Sequence, residues 1–206
     1  MIAAIIDLIA SRDASTRERR EMDGKVRRLL EETYDRFTQD CEAVPTLTQG
    51  DSIELLVTTW QPIVFLFHRL LMERLRFRVG LGTGPVEIHK EHADECDGPA
   101  FWNAREALEE LKGTKYMSRE AGFRLSDRTS NTERQTVIIS TLILTSLLCL
   151  TATQLTHCYY HIWEGKSITE IAEIMKTTKG NVSRILGKTP CYILQKVMTF
   201  LSPAGS

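Results

Sequence analysis

Ser167-Ile168-Thr169-Glu170-Ile171-Ala172-Glu173-Ile174-Met175-Lys176, followed after a short break by Gly180-Asn181-Val182-Ser183-Arg184-Ile185-Leu186, decides how the end of the chain folds. Ser167 and Glu170 have capping-box spacing, which fixes the start of a first helix. Ile171, Ala172 and Met175 share one side of it; Val182, Ile185 and Leu186 share one side of a second. Small Ala172 falls where two steeply crossing helices need close approach. Two short helices over 167–176 and 180–188, around so tight a turn, predict a helix-turn-helix, whose second helix enters the major groove of duplex DNA. Lys179, Asn181, Ser183, Arg184 and Lys188 are then the groove-facing residues. Asn and Arg can make bidentate base contacts, while Lys and Ser suit phosphate. One such module offers few contacts, so useful affinity calls for a homodimer reading two half-sites. The alternative is a helical pair used for protein contact.

Charge distribution agrees with the DNA reading. The 206-residue chain has a net charge of −1. From Ala152 onward, however, six bases (Lys166, Lys176, Lys179, Arg184, Lys188, Lys196) face three acids (Glu164, Glu170, Glu173), which leaves 20 bases and 24 acids before them. A basic tail on an acidic body fits a nucleic-acid-binding appendage. Cys41, Cys96, Cys149, Cys158 and Cys191 are odd in number and scattered, so the expectation is reduced thiols in a cytoplasmic protein rather than a disulfide framework. Asp7 breaks the N-terminal apolar run, which also lacks a basic start and does not read as a signal peptide.

Working back from the tail, Ile2 to Ile9 is of strand length. Arg12 to Phe37 is helical, with Ser15 and Glu18 to cap it and Met22, Val26, Leu29, Leu30, Tyr34 and Phe37 as its stripe. Val44 to Thr58 holds two β-rich runs around Gln49-Gly50-Asp51-Ser52, a hairpin signature. Pro62 to Leu75 is helical, Phe77 to Ile88 β-like, Pro99 to Leu111 helical, and Lys115 to Leu125 can supply one or two short strands. The order β-α-β-β-α-β-α-β predicts an α+β domain with a ferredoxin-like βαββαβ core at residues 1–127. Polar Asp127 to Arg134 reads as a linker. Residues 128–150 form the connecting segment and 151–206 the all-α module. No Asp, Glu, Lys or Arg occurs between Gln135 and Trp163, and Val137 to Leu150 is strongly apolar. Crossing a bilayer takes about 20 residues. This shorter run is expected to be a helix buried in protein, as a connecting or dimerisation helix, with no membrane partner.

Two carboxylates stand where a cation could be held. Asp7 interrupts an apolar strand, where an ionised carboxylate needs a partner. Asp51 sits at the hairpin tip. The split βαβ order can bring them within ~8 Å at one end of the sheet, where they could bind Mg²⁺ and through it a nucleotide. Alternatively they are a strand-end and a turn residue. His157 and His161, four apart, could ligate a metal, but no third ligand is evident, and helix packing accounts for them.

Ile5-Ile6-Asp7-Leu8-Ile9-Ala10-Ser11, Gln49-Gly50-Asp51-Ser52-Ile53 and Val79-Gly80-Leu81-Gly82-Thr83-Gly84-Pro85-Val86 resemble three consecutive motifs of class III nucleotide cyclase domains. Gly98-Pro99-Ala100-Phe101-Trp102-Asn103-Ala104 resembles a fourth. Leu150 through Leu186 is similar to region four of sigma factors. The chain as a whole resembles the SatD-like family. The cyclase resemblance implies that Asp7 and Asp51 are metal ligands. It also implies that the transition-state asparagine and arginine positions are Trp102 and Glu106, with Asn103 and Arg105 each one residue out of register. The adenine-selecting lysine position falls at Leu47. A neighbouring helical position points about 100° away, so the out-of-register residues are no substitute. The expected function is a DNA-binding transcriptional regulator with a degenerate cyclase-like sensor or scaffold domain that makes no cyclic nucleotide. The alternative is a Mg²⁺-dependent nucleotide-binding or nucleotide-processing enzyme using Asp7 and Asp51.

Overall fold

The computed structural model of the chain describes residues 1–9, 15–48, 52–113 and 121–201. They form mixed α and β structure in two compact units, Met1–Thr145 and Ser146–Ser206.

In the first unit, β1 (Ile2–Leu8) is the middle strand of a five-stranded sheet. It pairs antiparallel with β3 (Ser52–Val57) on one side and β4 (Phe77–Thr83) on the other. β2 (Thr46–Leu47) flanks β3 antiparallel, and β5 (Ala121–Arg124) flanks β4 in parallel, giving the order β2-β3-β1-β4-β5. The near-continuous apolar run of β1 reflects burial on both faces.

Each face is covered by helices. α1 (Thr16–Arg36) starts at the Ser15–Glu18 capping box and buries Val26, Leu29 and Leu30. α2 (Gln61–Met72), with Pro62 in its first turn, is buried along nearly its whole length. Phe67 of α2 meets Phe77 edge-on at 4.5 Å, on the sheet face that Phe77 shares with Val79 and Leu81. The opposite face carries Ala3, Ile5 and Leu56, which cluster with Ala100, Phe101, Ala104 and Leu108 of α3 (Pro99–Gly113). Gly80 and Gly82 of β4 make this approach possible. A Cβ on Gly80 would lie 2.1 Å from the Ala104 carbonyl oxygen, and one on Gly82 2.2 Å from that of Ala100.

The polar stretch after β5 departs from the expected linker. Ser130 Oγ accepts from the Glu133 amide at 3.2 Å, and Glu133 Oε2 accepts from the Ser130 amide at 2.8 Å. α4 (Asn131–Leu148) therefore begins inside that stretch. Glu133 also holds the N-terminal ammonium at 2.5 Å. In α4, Val137, Ser140, Ile143 and Leu144 are buried, and the Ser140 and Thr141 hydroxyls donate back to the Thr136 and Val137 carbonyls. Among the described residues no helix is long and apolar enough to cross a membrane.

The second unit is all helix. α5 (Ala152–Ile162) has a Thr151–Gln154 capping box, and α6 (Ile168–Ile174) has the Ser167–Glu170 box. That box holds the Glu170 carboxyl below its ordinary range through the Ser167 amide and hydroxyl. Lys176, at φ +51°, turns the chain in the left-handed region. α7 (Lys179–Leu186) follows with Thr178 as its N-cap, and α8 (Cys191–Leu201) ends the unit. Cys158, Ile171, Ala172, Val182, Leu186 and Cys191 form the core. Ile185, expected inside with Val182 and Leu186, is only half-buried. Cys158 and Cys191 are joined by a disulfide, so the thiols are not all reduced as expected. α5 and α8 bring their Cα atoms to 5.6 Å, within the range a disulfide spans. A signal for this pairing is lacking at a sequence separation of 33.

Candidate functional site

Two regions carry the residues singled out from sequence, one in each unit. In the second unit, α7 buries Val182 and Leu186 and turns Lys179, Ser183 and Arg184 outward. Lys188 lies just past the Gly187 C-cap and is also exposed. No acidic residue lies within α7 or between it and Lys188, so the helix itself carries only positive charge on this face. Asn181 is placed differently from the other four. It is half-buried; its Nδ2 donates to Thr177 Oγ1 at 3.0 Å, and its Oδ1 accepts from Arg184 Nη2 at 2.8 Å. Asn181 thus ties the turn before α7 to the Arg184 guanidinium and sets the direction of that guanidinium. The Thr178 hydroxyl caps the Asn181 amide at 3.2 Å.

His157 and His161 of α5 each direct Nδ1 to a backbone carbonyl, those of Thr153 (2.7 Å) and Lys166 (3.3 Å). Both Nε2 atoms lack a hydrogen-bond partner. Among the described residues no group of three or more His, Cys, Asp or Glu is placed to hold a metal ion.

In the first unit, Asp7 lies near the end of β1 on the α3 side of the sheet, the side of Ala3 and Ile5. Arg78 is its register partner on β4, and the guanidinium lies 3.6 Å from the Asp7 carboxylate. The strand-interior carboxylate therefore has a cation from the chain itself. On the other side Asp7 is opposite Ser52, the first residue of β3. Asp51 lies outside the described residues.

The α3 residues singled out by the expected cyclase resemblance are engaged in ways the sequence did not indicate. Trp102 donates its indole N–H to Asp97 at 2.9 Å, and Glu106 pairs with Arg124 of β5. Asn103 donates to the Thr83 carbonyl at 2.8 Å, which locks α3 to the end of β4. Arg105 lies 3.6 Å from Asp97 and 3.8 Å from Glu54.

Glu54 is the residue that sequence reasoning missed. It faces α3 from β3, opposite Ile5, and is 9% exposed. Its Oε2 has no hydrogen-bond partner. Burial pushes its carboxyl above the ordinary range against the pull of Arg105, and the Asp94 and Asp97 carboxylates add to the rise. The available signal was a lone Glu inside the otherwise apolar run Ile53 to Val57, whose lack of polar alternation marks a strand buried on both faces.

Comparison with curated proteins and with solved structures gives no match. A family model does match, and it covers both units through the end of α7. Over residues 1–187 the chain matches the SatD family, and it belongs to that family.

Proposed function

We propose that this SatD-family chain is a DNA-binding regulator in which α6 and α7 act as a helix-turn-helix and α7 enters the major groove. The observation that carries the reading is the outward face of α7: Lys179, Ser183 and Arg184, with Lys188 just beyond, opposite a buried Val182 and Leu186. A short helix with one apolar side docked and a cationic, acid-free side outward matches what a recognition helix needs. The first unit serves it as a cyclase-like scaffold or sensor. Support for that role comes from the β2-β3-β1-β4 order, with β1 antiparallel to both neighbours, which agrees with a ferredoxin-like split βαβ core extended by β5. In this reading Trp102 and Glu106 take the places of the cyclase transition-state residues, and their contacts to Asp97 and Arg124 support leaving out cyclisation chemistry.

Anisotropy with a labelled duplex across a salt series tests it. Lys188→Ala should weaken all sequences alike and flatten the log–log salt slope by about 1. Arg184→Ala should lose roughly 1–3 kcal/mol and relax preference at one base pair. Asn181→Ala should mimic part of that loss and add little to Arg184→Ala, because its role is to aim the guanidinium. Equal, weak binding by wild type and Arg184→Ala at low salt would make the tail a protein-contact module.

A second reading keeps Mg²⁺ and a nucleotide at the sheet end. It rests on the register that sets Ser52, the residue after Asp51, opposite Asp7. Asp7→Ala should then abolish Mg²⁺-dependent nucleotide binding; binding unchanged by that substitution removes this reading.

A further inference from the structure

The one disulfide among the described residues lies against the end of α7. Cys158 of α5 and Cys191, the first residue of α8, are both fully buried and share a core with Val182 and Leu186 of α7. The turn from α7 to α8 is bonded around the bridge. The Thr189 hydroxyl donates to the Leu186 carbonyl at 2.7 Å, which satisfies an acceptor at the end of α7. The same oxygen accepts from the Cys191 amide at 3.3 Å and lies 3.6 Å from Cys158 Sγ. One hydroxyl thus joins the last turn of α7, the first residue of α8 and the sulfur on α5. Lys188, one of the outward cations, sits in this turn, its amide bonded to the Ile185 carbonyl at 3.1 Å.

The bridge matters to this unit because little else there is as strong. Two of the six residues in its core cluster are the bridged cysteines. Two further contacts between α5 and α8 are weak: Tyr192, itself exposed, meets His161 edge-on at 5.1 Å, and Gln195 Nε2 donates to the His161 carbonyl at 3.4 Å. A bridge closing a separation of 33 residues contributes roughly two to three decades in the folding equilibrium of such a unit. Cys41, Cys96 and Cys149 remain thiols, and Cys149 is at the surface. A surface thiol is a liability where oxidation is permanent, so the mixture fits a bridge that forms and opens.

We propose that the Cys158–Cys191 pair is a redox switch on α7. Bridged, it holds the end of α7 and the start of α8 in the order that DNA binding needs; opened, it releases them. The output rests on the DNA reading, whereas the bridge chemistry does not. The reductant is a dithiol. One of its thiolates attacks a bridge sulfur, forms a mixed disulfide and frees the other cysteine, which takes up a proton. Its second thiolate then displaces the first cysteine and closes the reductant's own disulfide. Two electrons and two protons pass to the protein. Hydrogen peroxide reverses the change: one cysteine thiolate is oxidised to a sulfenic acid, and the other displaces its oxygen as water, for two waters in all. Both sulfurs are buried, so each step proceeds through opening of the turn at residues 187–190.

The test compares the full chain after hydrogen peroxide and after excess dithiothreitol. The readouts are mass after alkylation, amide hydrogen exchange, and anisotropy with a labelled random-sequence duplex at low salt. Reduction should add two alkylated thiols and speed exchange at residues 186–189 and 191–194 by at least ~10-fold. Duplex binding should weaken by a similar factor, and peroxide should restore all three. Cys158→Ala/Cys191→Ala should behave as reduced wild type in both conditions, and Cys149→Ser should respond as wild type does. Wild type is read in both states, so the result stands even where the double variant does not fold. Duplex binding and exchange that do not change on reduction would overturn the switch and leave the DNA reading standing. Exchange that responds while neither form binds duplex would overturn the DNA reading and the output assigned to the switch. A bridge that excess dithiothreitol does not open in the folded chain would be a permanent staple, which also overturns the proposal.

Discussion

Gly80→Ala probes the contact on which the first unit is built. The new Cβ would stand 2.1 Å from the Ala104 carbonyl oxygen and 2.8 Å from the Leu108 amide nitrogen, both backbone atoms of α3. Ordinary contact begins at 3.4 Å, so the helix must withdraw by about 1 Å. No side-chain rotation relieves a clash with helix backbone. Withdrawal would loosen Ala100, Phe101, Ala104 and Leu108 from Ala3, Ile5 and Leu56. Overpacking of this kind costs about 1–3 kcal/mol, and a clash with two backbone atoms belongs at the upper end. Replacing a strand glycine returns roughly 0.5–1 kcal/mol, for a net destabilisation of about 2 kcal/mol. Hydrogen exchange of the β1 amides reads this unit directly. At 1.36 kcal/mol per decade the loss corresponds to exchange about 30-fold faster. Gly24→Ala is the control: inside α1, with nothing within 4 Å of the new Cβ, it should stabilise by about 0.8–1 kcal/mol. Unchanged β1 exchange in Gly80→Ala would refute the close packing of α3 on β4.

Glu54→Gln should stabilise the first unit at neutral pH. The Glu54 carboxyl is raised in the folded state by burial, so its contribution is fully present below the ordinary value of 4.5 and is lost as pH rises through the folded value. Wild type and Glu54→Gln should therefore converge in melting temperature below that pH and separate above it; parallel profiles would contradict the burial argument. Lys176→Gly should raise the stability of the second unit by up to about 1–2 kcal/mol, since a non-glycine residue at φ +51° is strained. An unchanged melting transition for that unit would place the strain elsewhere.

Much of the fold was legible because its signals are local and mutually consistent. The capping boxes at Ser15–Glu18 and Ser167–Glu170 mark helix starts in the sequence, and both form as read. The order of strands and helices follows from where period-two and period-3.6 patterns alternate. The start of α4 was missed although Ser130 and Glu133 have the same box spacing, because the polarity of the stretch outweighed its cap. What depends on tertiary packing was not legible. Nothing in β4 says that Arg78 will neutralise Asp7, or that Asn103 will be taken up by the Thr83 carbonyl. The bridge between Cys158 and Cys191 depends on how α5 meets α8, and the buried state of Glu54 on how α3 crosses β3. In α7, Lys179, Ser183 and Arg184 are exposed as helical periodicity indicates, as is Lys188 beyond its end, whereas the half-burial of Asn181 comes from the turn, through Thr177.

Selection of genomic fragments by the purified full chain, with sequencing of the bound pool, tests the central claim most directly. Wild type should enrich a reproducible motif, with two half-sites about 34 Å apart if the chain binds as a dimer. Arg184→Ala should lose preference at one position of each half-site while the remaining positions persist. A wild-type pool no more structured than that of a Lys179→Ala/Ser183→Ala/Arg184→Ala/Lys188→Ala variant would contradict DNA reading by α7.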